Sequence, residues 1–447
     1  MPTEFKFNIC FGCILLSLFL VASCDSDKGE HYTSDKPASG IERVCDENNG
    51  GLTLPEGFCA GVVADSLGFI RHLAVNENGD IYVALRNHRL NLGGIIALRD
   101  TDGNGSMDLL EKFSDVPGMG IIIKNGFLYF ASDTDIYRYT LGQALIPELP
   151  PQVLVRDLPA QGLHTGKPFT LDDNNQLYVN IGAITNACQR DEETIGSPGV
   201  EPCPELQNHA GIWRFSLEKT DQDQQTDGYH YASGIRNAYA IDWHPAYKRL
   251  YVVQHGRDNL HDMWPDIYSL KDDALLPSEE FMGIDDAGEY GWPYCFYDPI
   301  QNKRVMAPEY GGDGKITGRC DEFASPLVAF PAHFGPNDLK FYTGKQFPEH
   351  YYHGAFIAFH GSYNRDPFEQ VGYQVVFVPF KDGVPAGDWE VFADGFAGVE
   401  QVKVPEDADY RPTGLAVGPD GSLYIADSVQ GRIWRVVYTG EKSSAFK

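Results

Sequence analysis

Short apolar runs alternate with turn residues along most of this chain. In each run an aromatic residue lies among aliphatic residues and follows a turn of Asn, Asp, Gly or Lys; the aromatic residues are Tyr82, Tyr129, Tyr178, Tyr251, Phe356 and Tyr424. Aromatic and β-branched residues bounded by turn residues are typical of β-strands. The pattern therefore predicts six strand units of one kind.

Several of these units carry a second strand-like run. The second runs cover residues 94–98, 135–139, 211–215 and 431–436. A strand, a turn and another strand repeated every few tens of residues is the sequence pattern of a β-propeller. We therefore predict an all-β fold, a six-bladed β-propeller over residues 45–440. The units are spaced more widely after Tyr178, and insertions in a repeat fold usually cluster on its functional face.

The N-terminal segment differs from the repeats. Residues 9–22 are apolar but too few for a comfortable transmembrane helix, and they end in Val-Ala-Ser before Cys24. Small residues directly before a cysteine are typical of a bacterial lipoprotein signal. We predict a signal peptide over residues 1–23, lipidation of Cys24, a flexible tether over residues 24–44 and a C-terminal tail over residues 441–447. The protein is then exported and lipid-anchored to a bacterial membrane, in the periplasm or at the cell surface; a plain cleaved signal or a short anchor is the alternative.

Six cysteines remain after the predicted signal and lipidation site. An even number of cysteines in an oxidising compartment indicates disulfides, although many connectivities are open. The simplest pairing joins neighbours along the chain: Cys45 with Cys59, Cys188 with Cys203, and Cys295 with Cys320. Buried free thiols are the alternative.

The chain is strongly acidic, with a formal net charge of −28. Because like charges repel, this charge disfavours nucleic acid and anionic lipid headgroups as partners. It favours solubility, calcium or a basic protein partner. A polyanionic ligand would require the few arginines and lysines to gather at one place.

Residues 100–111 match the calcium loop of an EF-hand. The ligand positions hold Asp100, Asp102, Asn104, Ser106 and Glu111. Gly105 lies where that loop makes its sharp turn. Because strand-like runs rather than helices flank this loop, we predict a structural calcium clip; a turn without a metal is the alternative.

Polar residues follow or precede several predicted strands. Arg236 offers a planar set of donors suited to a carboxylate, and Asn237 can both donate and accept. Gly256 allows backbone carbonyls to approach a ligand. His164 lies on a loop where it can act as a general base, and Lys167 can hold an anion. Each residue alone also fits a structural role in a salt bridge, a turn or a loop.

Taken together and in this order, these segments resemble the glucose/sorbosone dehydrogenase family, whose members are quinoprotein sugar dehydrogenases built on six-bladed propellers. The matching segments are residues 164–167, 234–237, 255–258, 290–293, 360–365 and 410–414. The resemblance covers about residues 52–438 and implies pyrroloquinoline quinone (PQQ) and calcium as cofactors, with a sugar or polyol as substrate.

The resemblance also implies roles for single residues. His164 matches the base that takes the proton of the sugar hydroxyl while hydride passes to the quinone. The cofactor-binding positions, with Lys167 added as an anion-holding residue, are Lys167, Arg236, Asn237, Arg365 and Arg411. The backbone carbonyls of Gly256 and Arg257 match the calcium ligands.

Three positions depart from the family pattern. Leu163 stands where some members have an aspartate, so His164 needs another residue to orient it. Arg257 stands where others have proline, so its side chain must point away from the cation. Arg365 stands where the best-known members have lysine, which preserves the charge.

Two further matters stay open. An external acceptor such as a cytochrome or a quinone would receive the electrons, because no haem attachment motif is present. The acidic segment 260–289 could cover the cofactor, form a second calcium site or be a solvated loop, and the last is favoured. The alternative functions are a calcium-dependent lactonase-type propeller, which needs an acidic metal centre on the axis, and a non-enzymatic propeller that binds a glycan or a protein.

Overall fold

The structure is a computed structural model that describes residues 45–88 and 92–440. The predicted signal peptide, lipidation site, tether and C-terminal tail lie outside the described residues, so those expectations stay predictions. Within the described ranges, no helix combines the length and the apolar character needed to cross a membrane.

The first strand, β1 (Phe58–Ala64), precedes blade one along the chain and belongs to blade six. Each of the six blades is built on four antiparallel strands, and blades two and three add a short fifth strand in parallel. Blade one contains β2 (Ile70–Val75), β3 (Ile81–Leu85), β4 (Gly94–Arg99) and β5 (Leu109–Ser114). Blade two contains β6 (Gly118–Lys124), β7 (Phe127–Ser132), β8 (Ile136–Thr140) and β9 (Gln152–Arg156). Blade three contains β10 (Phe169–Leu171), β11 (Gln176–Ile181), β12 (Gly211–Ser216) and, after the short β13 (Gln222–Asp223), β14 (Tyr229–Ser233).

The later blades carry the insertions. Blade four contains β15 (Ala240–His244), β16 (Arg249–Gln254), β17 (Glu279–Ile284) and, after β18 (Gly288–Glu289) and the hairpin β19 (Cys295–Asp298) and β20 (Lys303–Met306), β21 (Val328–Phe330). Blade five contains β22 (Pro336–Phe341), β23 (Ala355–His360), β24 (Tyr373–Val378) and, after the hairpin β25 (Phe380–Lys381) and β26 (Val384–Pro385), β27 (Glu390–Ala393). Blade six contains β28 (Pro412–Val417), β29 (Leu423–Asp427) and β30 (Ile433–Tyr438).

Helical structure among the described residues is short. The α-helices are α1 (Leu260–Met263) and α2 (Leu270–Leu275). The 3₁₀ turns are Asn49–Gly51, Pro204–Gln207, Pro308–Tyr310, Gly318–Glu322, Glu349–Tyr351 and Pro405–Asp407. These elements lie in the connections, so the blades alone form the framework.

The predicted six-bladed propeller is confirmed. The six marker aromatics lie in the second strand of each blade and all are buried. Each of six large apolar clusters joins two neighbouring blades. Flat aromatic and branched side chains therefore fill the space between adjacent sheets, which is how a propeller buries its core.

The ring closes through the N-terminal strand. β1 pairs antiparallel with β30 and supplies the fourth strand of blade six. The first and last parts of the propeller thus share one sheet, and the edge that blade six would otherwise present is covered. The sequence analysis did not predict this pairing.

The three predicted neighbouring disulfides are confirmed: Cys45–Cys59, Cys188–Cys203 and Cys295–Cys320. Each bond closes a short loop, so it limits the motion of one connection rather than joining distant blades.

The favoured interpretation of the acidic segment 260–289 as a solvated loop is wrong. The segment contains α1, α2 and β17, a strand of blade four. Glu279 and Glu280 in β17 are buried, and Glu280 pairs with the buried Arg304. A buried carboxylate with a partner is a structural group, so the acidic composition alone misrepresented the segment.

Candidate functional site

A cavity of about 450 Å³ lies at the end of the propeller where the first (inner) strand of each blade begins and the second strand ends. Its lining is mostly polar and includes four of the predicted site residues: His164, Arg236, Asn237 and Gly256. They come from the connections before β10, before β15 and after β16. The propeller therefore brings residues far apart in sequence to one place, as the order of motifs predicted.

His164 is held by a backbone carbonyl rather than by a carboxylate. Its Nδ1–H donates to the carbonyl oxygen of Ala183 at 2.8 Å. This bond leaves the Nε2 lone pair free, since a neutral imidazole carries one proton. Burial, and next the charge of Arg236, lower the pKa of His164 to about 3. The imidazole is therefore neutral at ordinary pH and able to accept a proton.

Gly182 lets this histidine sit close to the end of β11. A Cβ at Gly182 would lie 2.5 Å from the Cβ of His164, which no side chain could tolerate without movement. The carbonyl of Ala183 and the space at Gly182 thus replace the aspartate whose absence at Leu163 the sequence analysis noted.

Arg236 is almost completely buried, with 3% of its surface exposed. Nε and Nη1 donate to the carbonyl oxygens of Asn186 and Gly256, at 3.2 and 2.8 Å. Nη2 donates to Oδ1 of Asn186 at 3.0 Å and to Oδ2 of Asp258 at 3.2 Å. Because a guanidinium has five N–H groups, one N–H on Nη1 is left for a ligand.

Asn237 is fixed in the layer beneath the cavity. Its Oδ1 accepts from Nδ2 of Asn180 at 3.0 Å, and its backbone carbonyl accepts from the amide of His255 at 2.8 Å. Its side chain is 2% exposed. Its Nδ2 group is the part of the side chain that can serve a ligand.

Of the two predicted calcium ligands, Gly256 lines the cavity, whereas the side chain of Arg257 points elsewhere. The Gly256 amide donates to Oε2 of Glu279 at 2.7 Å. The Arg257 guanidinium pairs with Glu309 at 2.6 Å, with both side chains almost completely buried. The side chain of Arg257 does not line the cavity. It therefore points away from the predicted cation position, as expected for an arginine that replaces the proline of other members.

Arg365 and Arg411 do not line the cavity in the described part of the chain. Arg411 donates to the carbonyl oxygens of His360 and Gly361 at 2.9 and 2.6 Å and lies over the ring of Tyr373. Arg365 donates to the carbonyl oxygen of Ala274 at 2.5 Å. Their role in cofactor binding stays a prediction that requires both side chains to exchange these partners.

Lys167 is completely buried, and its ammonium donates to the carbonyl oxygen of Thr165 at 2.5 Å. It is not among the residues that line the cavity. Burial lowers the pKa of Lys167 to about 8, although Asp133 partly opposes this shift. Its predicted cofactor contact would therefore require a change of position.

Lys167→Met should be more stable than the wild type below pH 8. The unfolded lysine titrates near 10.5 and the folded one near 8, so folding disfavours the proton, and the wild type gains stability as pH rises between these values. The stability of the variant relative to the wild type should therefore fall by on the order of 3 kcal/mol between pH 8 and pH 10.5. Urea unfolding at both ends of this window measures it, and an equal difference at both ends would contradict the burial argument.

Arg71 is a cavity residue that sequence analysis missed. It lies in the inner strand β2, is 7% exposed, and has a buried Nε with no hydrogen-bond partner. Its guanidinium lies 5.6 Å from the centre of the Tyr239 ring, and burial lowers its pKa to about 10. The available signal was a basic residue, followed by His72, between the apolar residues of a strand, where a buried charge needs a partner.

Three carboxylates line the cavity beside the arginines: Glu193, Asp258 and Glu279. Burial would raise the pKa of Asp258, but hydrogen bonds from His333 and Asn364 and the charge of Arg236 lower it overall. Burial raises the pKa of Glu279 to about 7. The guanidinium groups of Arg71 and Arg236 therefore offer donors for an anionic group in a cavity whose lining carries charges of both signs.

In the loop over residues 100–111, side-chain oxygens accept hydrogen bonds from backbone amides of the same loop. Asp100 accepts from the amides of Gly103 and Gly105, both at 2.8 Å, and the amide of Ser106 donates to Oδ1 of Asn104 at 2.8 Å. Glu111 lies in β5. These are the bonds of an Asp- and Asn-rich turn, and the calcium clip stays a prediction.

One group of three candidate metal ligands gathers within residues 45–88 and 92–440, namely Cys188, Cys203 and Glu205. Both sulfur atoms belong to a disulfide, so neither is a thiolate that could bind a metal. No other group of three such ligands gathers in these ranges.

Comparison with known proteins places this geometry in a family. The model of the TrAA12-like family matches residues 52–439. An uncharacterized protein of Borreliella burgdorferi is 28% identical over 279 residues, which cover 62% of this chain and 61% of that protein. A pyrroloquinoline quinone-dependent pyranose dehydrogenase of Coprinopsis cinerea is 24% identical over 430 residues, covering 86% of this chain and 52% of that protein. The chain thus spans about half to three fifths of these relatives.

Solved structures show the same fold. A Trichoderma reesei enzyme of carbohydrate-active enzyme family AA12 matches with a TM-score of 0.68 and 19% identity, covering 87% of this chain and 98% of that one. The holo PQQ domain of the Coprinopsis cinerea pyranose dehydrogenase also gives 0.68, with 18% identity, covering 86% and 97%. The resemblance to quinoprotein sugar dehydrogenases is therefore confirmed, and the chain belongs to the TrAA12-like family.

Proposed function

We propose that this protein oxidises a hydroxyl group of a sugar or related polyol with PQQ as its cofactor. The observation that carries the proposal is a neutral histidine with a free Nε2 in a cavity that also contains Arg71 and Arg236. A positioned base and cations for an anionic cofactor are what this reaction requires. The dependence of its relatives on PQQ, given in their names, supports the same conclusion.

The polar groups of the cavity fit an anionic cofactor. Arg71 Nε and His255 Nδ1 are buried without a hydrogen-bond partner, and Arg236 retains one N–H. A buried polar atom without a partner is costly. PQQ carries three carboxylates and carbonyl groups, so it offers acceptors for the arginines and the histidine.

His164 would accept the proton from the substrate hydroxyl at Nε2. Its Nδ1–H bond to the Ala183 carbonyl fixes the tautomer and the ring orientation before the substrate arrives. When bound, PQQ would supply a two-electron acceptor for the hydride that leaves the carbon bearing this hydroxyl. An external acceptor, such as a cytochrome or a quinone, then removes these electrons.

Calcium is the second part of the proposed cofactor set. Backbone carbonyl oxygens are ligands that calcium prefers, and those of Gly256 and Arg257 are the candidates. The Gly256 carbonyl accepts from Nη1 of Arg236 at 2.8 Å, so a cation there would require this bond to be exchanged. The ionised Asp258, two residues on, supports a cation nearby.

Reconstitution tests the proposal directly. The chain without residues 1–23 is mixed with PQQ and calcium, and dye reduction is followed with a panel of aldoses and polyols. Activity is expected only when PQQ is present, and chelation of calcium should reduce it. The absence of dye reduction with every sugar, together with binding of a glycan or a protein, would support the non-enzymatic alternative.

A further inference from the structure

The side-chain amide of Asn186 joins Arg236 to Asp258. Its Oδ1 accepts from Nη2 of Arg236 and from the backbone amide of Asp258, each at 3.0 Å. Its Nδ2 donates to the backbone carbonyl of Asp258 at 2.8 Å. Asn186 is 1% exposed, so these bonds form away from water, where losing a partner is costly.

Asp258 bonds to the same guanidinium and also contacts side chains from two further loops. Its Oδ2 accepts from Nη2 of Arg236 at 3.2 Å. Its Oδ1 accepts from Nδ2 of Asn364 at 2.5 Å and lies 3.4 Å from Nδ1 of His333. Asn364 follows β23 of blade five, and His333 precedes β22. The position of Arg236 is therefore set from several blades and not by its own loop alone.

The loop that carries Asn186 is itself restrained. The backbone amide of Asn186 donates to Oε1 of Glu192 at 2.6 Å. The buried carboxylate of Glu205 accepts from the backbone amides of Ile184 and Thr185, the two residues before Asn186. The disulfide Cys188–Cys203 closes the loop. A loop tied in this way presents the Asn186 amide in one orientation, as preorganised binding requires.

We propose that Asn186 and Asp258 are positioning residues that fix the guanidinium of Arg236 at the cavity, so that its remaining N–H points at an anionic group of the cofactor. The proposal rests on the proposed function and adds to it Asn186, which lies outside every matching segment, and a role for Asp258. Preorganisation removes the cost of ordering a long side chain during binding. Cofactor affinity should therefore depend on Asn186 through Arg236.

A double-mutant cycle on the full mature chain separates this role from a general loss of structure. The dissociation constant of PQQ is measured by fluorescence titration for the wild type, Asn186→Ala, Arg236→Lys and the double variant. Asn186→Ala should weaken binding about tenfold. Because the effect of Asn186→Ala passes through Arg236, it should largely vanish in the Arg236→Lys background. The double variant should therefore bind PQQ about as well as Arg236→Lys alone.

Gln222→Ala is the matched control. Gln222 is 2% exposed, donates to the backbone carbonyls of Leu154 and Ser216, and lies outside the cavity lining. This variant should lose thermal stability and keep the PQQ affinity of the wild type. If Asn186→Ala does not fold, Asp258→Asn enters the same cycle, since it keeps the size of the side chain and removes its charge.

The outcomes separate this inference from the proposed function. Failure of the wild type to bind PQQ would overturn both. If the wild type binds PQQ but the effects of Asn186→Ala and Arg236→Lys multiply in the double variant, the positioning role alone is overturned. An unchanged affinity of Asn186→Ala also overturns it.

Discussion

Replacing His164 with alanine is expected to reduce the rate of sugar oxidation by about 10²–10⁴-fold while PQQ still binds. The reason is that the free Nε2 would disappear, whereas Arg71 and Arg236, which line the same cavity, would be unaffected. Steady-state dye reduction gives the rate, and fluorescence titration gives the affinity for PQQ. The loss should appear in kcat at saturating sugar and PQQ.

His244→Ala is a suitable control for this experiment. His244 is also buried, but it lies in β15 and bonds to the backbone carbonyl of His353 at 3.1 Å, outside the cavity lining. It should lower the stability of the protein and leave kcat close to the wild-type value. If the two variants lost activity equally, or if His164→Ala remained active, His164 would not be the base.

Replacing Arg236 with alanine is expected to weaken PQQ binding about a hundredfold. The variant loses the charge and the free N–H, and bonds to charged groups are worth more than neutral ones. It also leaves Asp258, whose pKa is lowered partly by Arg236, without its cation. Calorimetric titration measures the affinity, and excess PQQ should restore much of kcat because His164 remains.

Arg304→Ala gives the corresponding control. Arg304 is also buried and paired, with Glu280, but it does not line the cavity. Removing one partner of a buried ion pair destabilises a protein, so both variants should unfold more easily. Only Arg236→Ala should change the affinity for PQQ, and an equal change in both would assign the effect to stability.

The repeat pattern was sufficient to predict the blades, because the position of each marker aromatic depends on residues close to it in the sequence. A residue such as Tyr82 or Tyr251 is buried between adjacent sheets wherever its strand pairs with its neighbours. The pairing of β1 with β30 is different, because it joins residues at opposite ends of the propeller. No local alternation of polar and apolar residues contains that information.

The site was predicted in part for the same reason. His164, Arg236, Asn237 and Gly256 follow or precede strands in recognisable motifs, and all line the cavity. Other functional candidates have no such signal. Arg71 lies inside a strand beside His72 and outside every recognised motif, and Glu279 lies in a segment whose acidic composition suggested exposure.

The sequence by itself determined the number of blades, and it favoured the pairing of neighbouring cysteines and a shared site for a loop histidine and an arginine, since these depend on short-range patterns and on chain order. Only the tertiary structure decided which cations reach the cavity. Arg365 bonds to the carbonyl of Ala274 and Arg411 to that of His360, whereas Arg71 lines the cavity. The physical reason is that a long cationic side chain turns toward the nearest buried acceptor, and packing of distant segments places that acceptor.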